Sequence, residues 1–321
     1  MANYIFSAPG HTAPDNVARD EWFLDHIGTD DRLLYFFVNR PSVIIGKNQN
    51  PWKECDLDAM KTDGVLLARR VSGGGAVYHD EGNLNYSFLV GKNHDPAQLM
   101  PLVAQTLRTF GLICSFSGRN DLLLDGKKFS GCAYCARGGA RMAHGTLLVS
   151  SDLQRLARYL TVDERKIRSK GVDSVRSRVC NLTERSPDLT IPALQNALKE
   201  AFAAYCGGAQ SYVFDEEAKE SFAQYKKRHR SRAWLLGETP RFDYQIDERY
   251  SFGGVQICLS TVGGRISGVR VFSDAMNENL APRLETLLLG APFDLPKIAA
   301  LLHSAGEPEM DEIAESIRNL Q

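Results

Sequence analysis

Three places in the sequence gather residue types suited to holding an anion. The first is Arg69-Arg70-Val71-Ser72-Gly73-Gly74-Gly75. Consecutive glycines reach φ values that other residues resist and bring backbone N–H groups close to a ligand. Such amides form a concave nest for phosphate oxygens. Arg70 would add charge and Ser72 a hydroxyl. The run fits neither the Walker pattern nor the dinucleotide G-x-G-x-x-G, and by itself it reads more simply as a flexible turn. The second place is Lys127-Lys128. Asp125-Gly126 predicts a tight hairpin between Asp121–Leu124 and 127–130, because both central positions need positive φ. Successive strand residues point to opposite faces, so one lysine can turn inward. An inward ammonium needs an anionic partner or it loses its charge; otherwise both lysines reach solvent along their stems.

The third place is VDERKIRSKGVDSVRSRVCNL at 162–182, where Arg165, Lys166, Arg168, Lys170, Arg176 and Arg178 surround Gly171. It is expected as a mobile loop with short helical pieces. Such a loop can close on a polyanion and exclude water from a reactive intermediate, although an isolated charge run is usually a solvated face. Cys132 and Cys135 make a C-x-x-C, but zinc would want a second pair, and only His144 is near. His79 and His144 invite acid–base chemistry; hydrogen bonding within the fold is the simpler role.

These groups need elements to carry them. An early helix is expected over 17–27, from Val17, Ala18, Trp22, Leu24 and Ile27. Residues 33–38 and 43–46 are β-rich and flank Asn39-Arg40-Pro41-Ser42, so they are expected to form a hairpin. Residues 65–68 lead as a strand into the glycine run, and 85–90 and 144–149 are further strands. Ser151-Asp152 should cap a helix with Leu153, Leu156, Ala157 and Leu160 on one face. Residues 190–206 are helical. KKRHRSR at 226–232 is a charge run near an expected boundary, either a solvated linker or a face toward an acidic partner. From about Pro240 strands follow at 242–246, 255–259 and 269–272, punctuated by Gly253-Gly254 and Gly263-Gly264. Two or three helices close a small α+β C-terminal domain.

The chain's 321 residues suffice for two domains. Its net charge of −1 gives no global field for nucleic acid or an anionic membrane, so neither is an expected partner. No apolar run approaches the roughly 20 residues that span a bilayer, and no signal peptide is evident at the N-terminus. Seven scattered cysteines suggest reduced thiols and a cytoplasmic protein.

Four stretches in order carry a resemblance: ARRVSGGGAVYHDEGNLNYSF (68–88), NDLLLDGKKFSGCAY (120–134), HGTLLVSSDL (144–153) and KGVDSVRSRVCNLTE (170–184). Together they resemble lipoate–protein ligases of the bacterial two-domain type. The likeness runs more weakly through DERYSFGGVQ (247–256) and covers nearly the whole chain. It implies an α+β fold with a mixed, largely antiparallel sheet, like that of biotin ligases and class II aminoacyl-tRNA synthetases. It also implies a catalytic domain over 1–239 and an accessory domain over 240–321. The implied activity is activation of lipoate by ATP to lipoyl-AMP, then transfer to a lysine of an acceptor. Implied acceptors are lipoyl domains of 2-oxoacid dehydrogenases and the glycine cleavage H protein; a monomer is expected.

Carried over by position, Arg70, Ser72, Gly73, Gly74, Gly75, Ala76, Val77, Tyr78, Asn83 and Arg176 contact the nucleotide or adenylate. Lys128 bridges the lipoate carboxyl and the phosphate, and Arg70, His144 and Gly145 join it around lipoate. Asp121 is the expected ligand of Mg²⁺. Cys132 stands where serine is common in the family. This admits a rival, an octanoyltransferase that works without ATP and uses a cysteine nucleophile. A non-catalytic partner-binding relative is a second rival.

Overall fold

A computed structural model describes residues 1–117, 120–161, 179–237 and 243–319. The chain divides into two compact units. The first comprises Met1–Ile45, Pro51–Val71 and Ala76–Leu235; the second comprises Gly46–Asn50, Ser72–Gly75 and Leu236–Gln321.

The first unit is built on an eight-stranded sheet. Its strands are β1 (Asn3–Ser7), β2 (Arg32–Val38), β6 (Asn83–Val90), β7 (Ser115–Ser117), β8 (Asp121–Leu124), β9 (Lys127–Arg137), β10 (Ala140–Leu148) and β11 (Gln210–Ser211). The spatial order is β11-β1-β2-β6-β10-β9-β8-β7. Only the β11–β1 and β1–β2 pairings are parallel. The mixed, largely antiparallel sheet is therefore present. β2 shows why it is a middle layer: Leu34 and Phe36 enter one core, Leu33, Tyr35 and Phe37 the other. A strand buried on both faces is apolar at nearly every position. The first core includes α4 (Pro101–Arg108) and the helix Ile191–Cys206; the second includes α1 (Ala13–His26) and the helix Glu216–His229.

Residues 33–38 and 43–46 do not form the expected hairpin. β2 already has β1 and β6 on its two edges. β3 (Ser42–Ile45) leaves for a second sheet, between β4 (Leu66–Arg69) and β5 (Val77–His79). The corner between them is a buried polar joint. Asn39 is fully buried, accepts from the Asn16 amide at 2.9 Å and donates to His79 Nδ1 at 3.0 Å. The helix α5 (Leu153–Tyr159) is capped by Asp152, as expected. Its Leu156 and its C-cap Leu160 pack against one apolar cluster with the buried Tyr159, whereas Ala157 is exposed.

The 226–232 run is no solvated linker. On the helix Glu216–His229 and just beyond it, Lys226 and Arg230 pair with Asp15, and Arg228 and His229 pair with Glu21, all toward α1. In the second unit β12 (Tyr244–Tyr250), β13 (Gly253–Val262) and β14 (Arg265–Ser273) form an antiparallel meander. Three helices, Leu280–Leu288, Leu295–His303 and Pro308–Arg318, pack their apolar residues into its core. Among the described residues no helix is long and apolar enough to cross a membrane.

Candidate functional site

The β8–β9 hairpin has the expected two-residue turn, with φ of 50° at Asp125 and 78° at Gly126. Lys127 is exposed. The Lys128 side chain is 38% exposed, and its Nζ lies 2.7 Å from Asp121 Oδ1. Gly131, registered opposite Asp121, makes room for this pair. A Cβ there would stand 2.9 Å from Lys128 Nζ and 3.0 Å from Cε. The described chain resumes beside the same lysine: Val179 bridges to Lys128, and Cys180 N–H donates to the Lys128 carbonyl at 3.0 Å. The basic positions between, Arg176 among them, lie outside the described residues.

Asp121 is thus the ion-pair partner of Lys128. Among the described residues no three His, Cys, Asp or Glu side chains gather as a metal site.

Arg70 is buried, its Nη1 donating to the Ile44 carbonyl at 3.2 Å. Burial pulls its guanidinium down to about 10, which leaves it charged at neutral pH. Arg69 is committed to the fold, since Nε and Nη2 hold the carbonyls of Trp234 and Leu235, each at 2.8 Å.

The glycine run belongs to the second unit. A Cβ on Gly73 would lie 2.6 Å from the Ala275 carbonyl oxygen and 2.7 Å from that of Met276. Gly74 sits at φ 90° and gives its N–H to Ala275 at 3.1 Å. Gly73 is therefore required by close backbone packing and Gly74 by its positive φ. Gly75, unlike Gly73, has open space where a Cβ would be. Ser72 is fully buried, and its carbonyl accepts from Lys47 N–H at 2.9 Å.

Ala76 precedes β5, and Val77 and Tyr78 lie on it. Burial, with the Asp80 charge nearby, pushes the Tyr78 phenol up to about 12. The His79 imidazole is depressed to about 3 by burial and by the Arg70 charge, so it is neutral at pH 7. His144 Nδ1 lies 3.2 Å from Asp20 Oδ2 on α1. Gly145 is registered opposite Tyr86, and a Cβ there would meet its hydroxyl at 2.6 Å.

Asn83, expected at the nucleotide, belongs to a buried polar face whose other members the sequence reading does not name. On β6, Leu84, Tyr86 and Phe88 enter the apolar core, while Asn83, Asn85 and Ser87 alternate with them, all buried. Asn83 Nδ2 donates to Asn85 Oδ1 at 3.1 Å. Asn83 Oδ1, Ser87 Oγ and His79 Nε2 are buried without a hydrogen-bond partner among the described residues. Such atoms are costly unless something satisfies them. Asn-x-Asn-x-Ser in an otherwise apolar strand was the available signal.

Cys132 packs into one core and Cys135 into the other, as residues three apart on a strand must. They cannot share a metal. Burial pushes the Cys132 thiol up to about 12.

Comparison with known proteins matches residues 12–203 to the lipoyl protein ligase A/B catalytic domain and residues 239–317 to the bacterial lipoate protein ligase C-terminus. Among solved structures, P. falciparum LipL1 in complex with lipoate is 26% identical, with a TM-score of 0.86 over 98% of this chain and 99% of that one. A bipartite lipoate protein ligase from Thermoplasma acidophilum, studied with its E2 lipoyl domain, is 32% identical at a TM-score of 0.64, covering 76% of this chain and 100% of that one. Lipoate-protein ligase A bound with ATP is 30% identical at a TM-score of 0.63, covering 74% and 99%.

Proposed function

Because the chain belongs to the lipoyl protein ligase A/B family, we propose that it attaches lipoate to protein in two steps. Lipoate and ATP first give lipoyl-AMP and pyrophosphate. The lipoyl group then passes to a lysine of an acceptor. The observation that carries this reading is the half-buried Lys128 ammonium, kept in place by Asp121 and Gly131 within the span matched to the catalytic domain.

Carboxylate attack on an α-phosphorus brings two anions together. Its barrier is chiefly positioning and charge neutralisation. Lys128 exchanges Asp121 for the lipoate carboxylate and the phosphate. Arg70, Ser72, Gly73, Gly74, Gly75, Ala76, Val77, Tyr78 and Asn83 hold the nucleotide, with Gly74 contributing its backbone conformation. Arg176 and the basic stretch around it cover the adenylate. Lys128, Arg70, His144 and Gly145 surround lipoate. In the second step the acceptor amine forms the amide bond as the acyl–phosphate bond breaks and AMP leaves. Lys128 polarises the acyl oxygen as charge develops there.

Asp121 would be the carboxylate offered to the Mg²⁺ that ATP brings, once Lys128 has turned from it to the substrate anions. The ion enters as the counter-ion of ATP, and no step is routed through a protein-bound metal. The T. acidophilum ligase studied with its E2 lipoyl domain supports lipoyl domains as acceptors. The glycine cleavage H protein is a second proposed acceptor, and the enzyme is proposed to be a cytoplasmic monomer. A thioester route through Cys132 is disfavoured, because a buried thiol near 12 supplies almost no thiolate at neutral pH. The test is incubation with lipoate, ATP and Mg²⁺ before any acceptor is added. Lipoyl-AMP and pyrophosphate are expected; transfer from an acyl carrier protein without ATP would replace this reading.

A further inference from the structure

A recess of about 330 Å³ opens at one edge of the large sheet, lined by β1, β11 and Lys199 of the helix Ile191–Cys206. We propose that it binds a small anion bearing a carboxylate or phosphate group, with Lys199 as the counter-charge.

β11 follows β1 for two registered residues, Gln210 and Ser211. Tyr212 N–H then closes the pairing on the Ile5 carbonyl at 2.9 Å. Even-numbered residues of this stretch turn their main-chain groups to β2: the Ala2 carbonyl accepts from Arg32, and Ala8 N–H donates to Phe36. Odd-numbered residues turn the other way, so strand alternation aims the Ser7 N–H into the recess. The Ser7 hydroxyl accepts from Gln195 Nε2 at 2.6 Å, which leaves its own proton to donate. Lys199 lies one helical turn beyond Gln195, so both side chains lean over the same strand end.

Among the described residues Lys199 makes no ion pair, and no acidic side chain lines the recess. Ile5 and Phe6 add apolar wall. Tyr212 is held edge-on against Tyr4 and Phe23, which stiffens the far side. One ammonium, one hydroxyl and one main-chain N–H beside apolar side chains, in a chain of net charge −1, select a compact anion. The volume sits at the small end of ligand pockets, roughly 300–1,000 Å³. None of these residues belongs to the proposed lipoate or nucleotide set, and the proposal stands apart from the ligase reading.

The experiment reads Lys199 itself. Lysines are dimethylated with isotopically labelled formaldehyde, which keeps their charge. The Lys199 resonance is assigned by its loss in Lys199→Arg. Inorganic phosphate and butyrate are titrated separately, with sodium chloride at matched ionic strength as the blank. A saturable shift of that resonance is expected, half-complete at or below roughly 1 mM. Saturation by phosphate alone identifies a phosphate ligand and by butyrate alone a carboxylate; saturation by both supports a general anion site. Shifts no larger than chloride produces, with both probes, overturn the proposal.

Discussion

Replacing Gly131 with alanine should separate the chemistry of Lys128 from the stability of the fold. The new Cβ would stand 2.9 Å from Lys128 Nζ and 3.0 Å from Cε. Ordinary contact needs about 3.5 Å, so the ammonium must retreat by roughly 0.5–1 Å. Its 2.7 Å contact with Asp121 then stretches to at most about 3.2–3.7 Å, the outer edge of hydrogen-bond length. The pair is 38% and 31% exposed, and partly solvated pairs contribute about 0–1 kcal/mol. The clash is with the end of a flexible side chain, and Gly131 is not at positive φ. Thermal unfolding should therefore move by about 4 °C at most. A catalytic group displaced by ~1 Å costs on the order of 100-fold in turnover. Lipoate-dependent pyrophosphate release and scanning fluorimetry, run on one preparation, check both. An unchanged rate would refute the claim that the lysine's position matters; a large fall in melting temperature would refute the claim that only its tip moves. Gly73→Ala is the contrasting variant, because its Cβ meets two backbone carbonyls. It should cost about 1–3 kcal/mol of stability by overpacking.

Three further outcomes are expected. Cys132→Ala should keep ATP-dependent turnover within a few-fold, since the buried thiol takes no part; a fall to background would revive the thioester route. Burial by itself would raise the Glu21 carboxyl, but hydrogen bonds from His229 and Arg137 and the Arg228 charge outweigh it and hold the group at about 2. A carboxyl lowered from 4.5 to about 2 adds stability that is complete above pH 4.5 and lost as pH falls through 2, about 3 kcal/mol in all. Denaturant midpoints at pH 7 and pH 3 should diverge in the parent protein and converge in Glu21→Gln; equal divergence in both would discard this source of acid sensitivity. Asp63→Asn should loosen the end of α5, because Asp63 accepts from Tyr159 at 2.8 Å and pairs with Arg158; unchanged hydrogen exchange at 156–161 would contradict that.

Much of this molecule is legible in its residues, and the failures have physical causes. Asp125-Gly126 announces its turn because few other pairs tolerate two positive φ values. Lys128 becomes distinct from Lys127 by strand alternation alone. The β2–β3 corner was misread because local turn chemistry says nothing about which edges of a strand are already occupied. The basic run at 226–232 looked solvated because Asp15 and Glu21, its partners, are some 200 positions away in sequence. The glycine run is half legible. Its composition signals close approach, but the sequence cannot say that Gly73 and Gly74 approach the backbone at 275–276. Asn83 enters the expected site through the resemblance, whereas Asn85 and Ser87, which share its buried face, show only as a period-two pattern in an apolar strand.

The central claim is that Lys128 serves lipoyl-AMP formation. The most direct test is single-turnover formation of lipoyl-AMP and pyrophosphate from lipoate and ATP, with no acceptor present, in the parent protein and in Lys128→Ala of matched melting temperature. The account predicts both products from the parent and neither from the variant. Lipoyl-AMP formed by Lys128→Ala at the parental rate would contradict it.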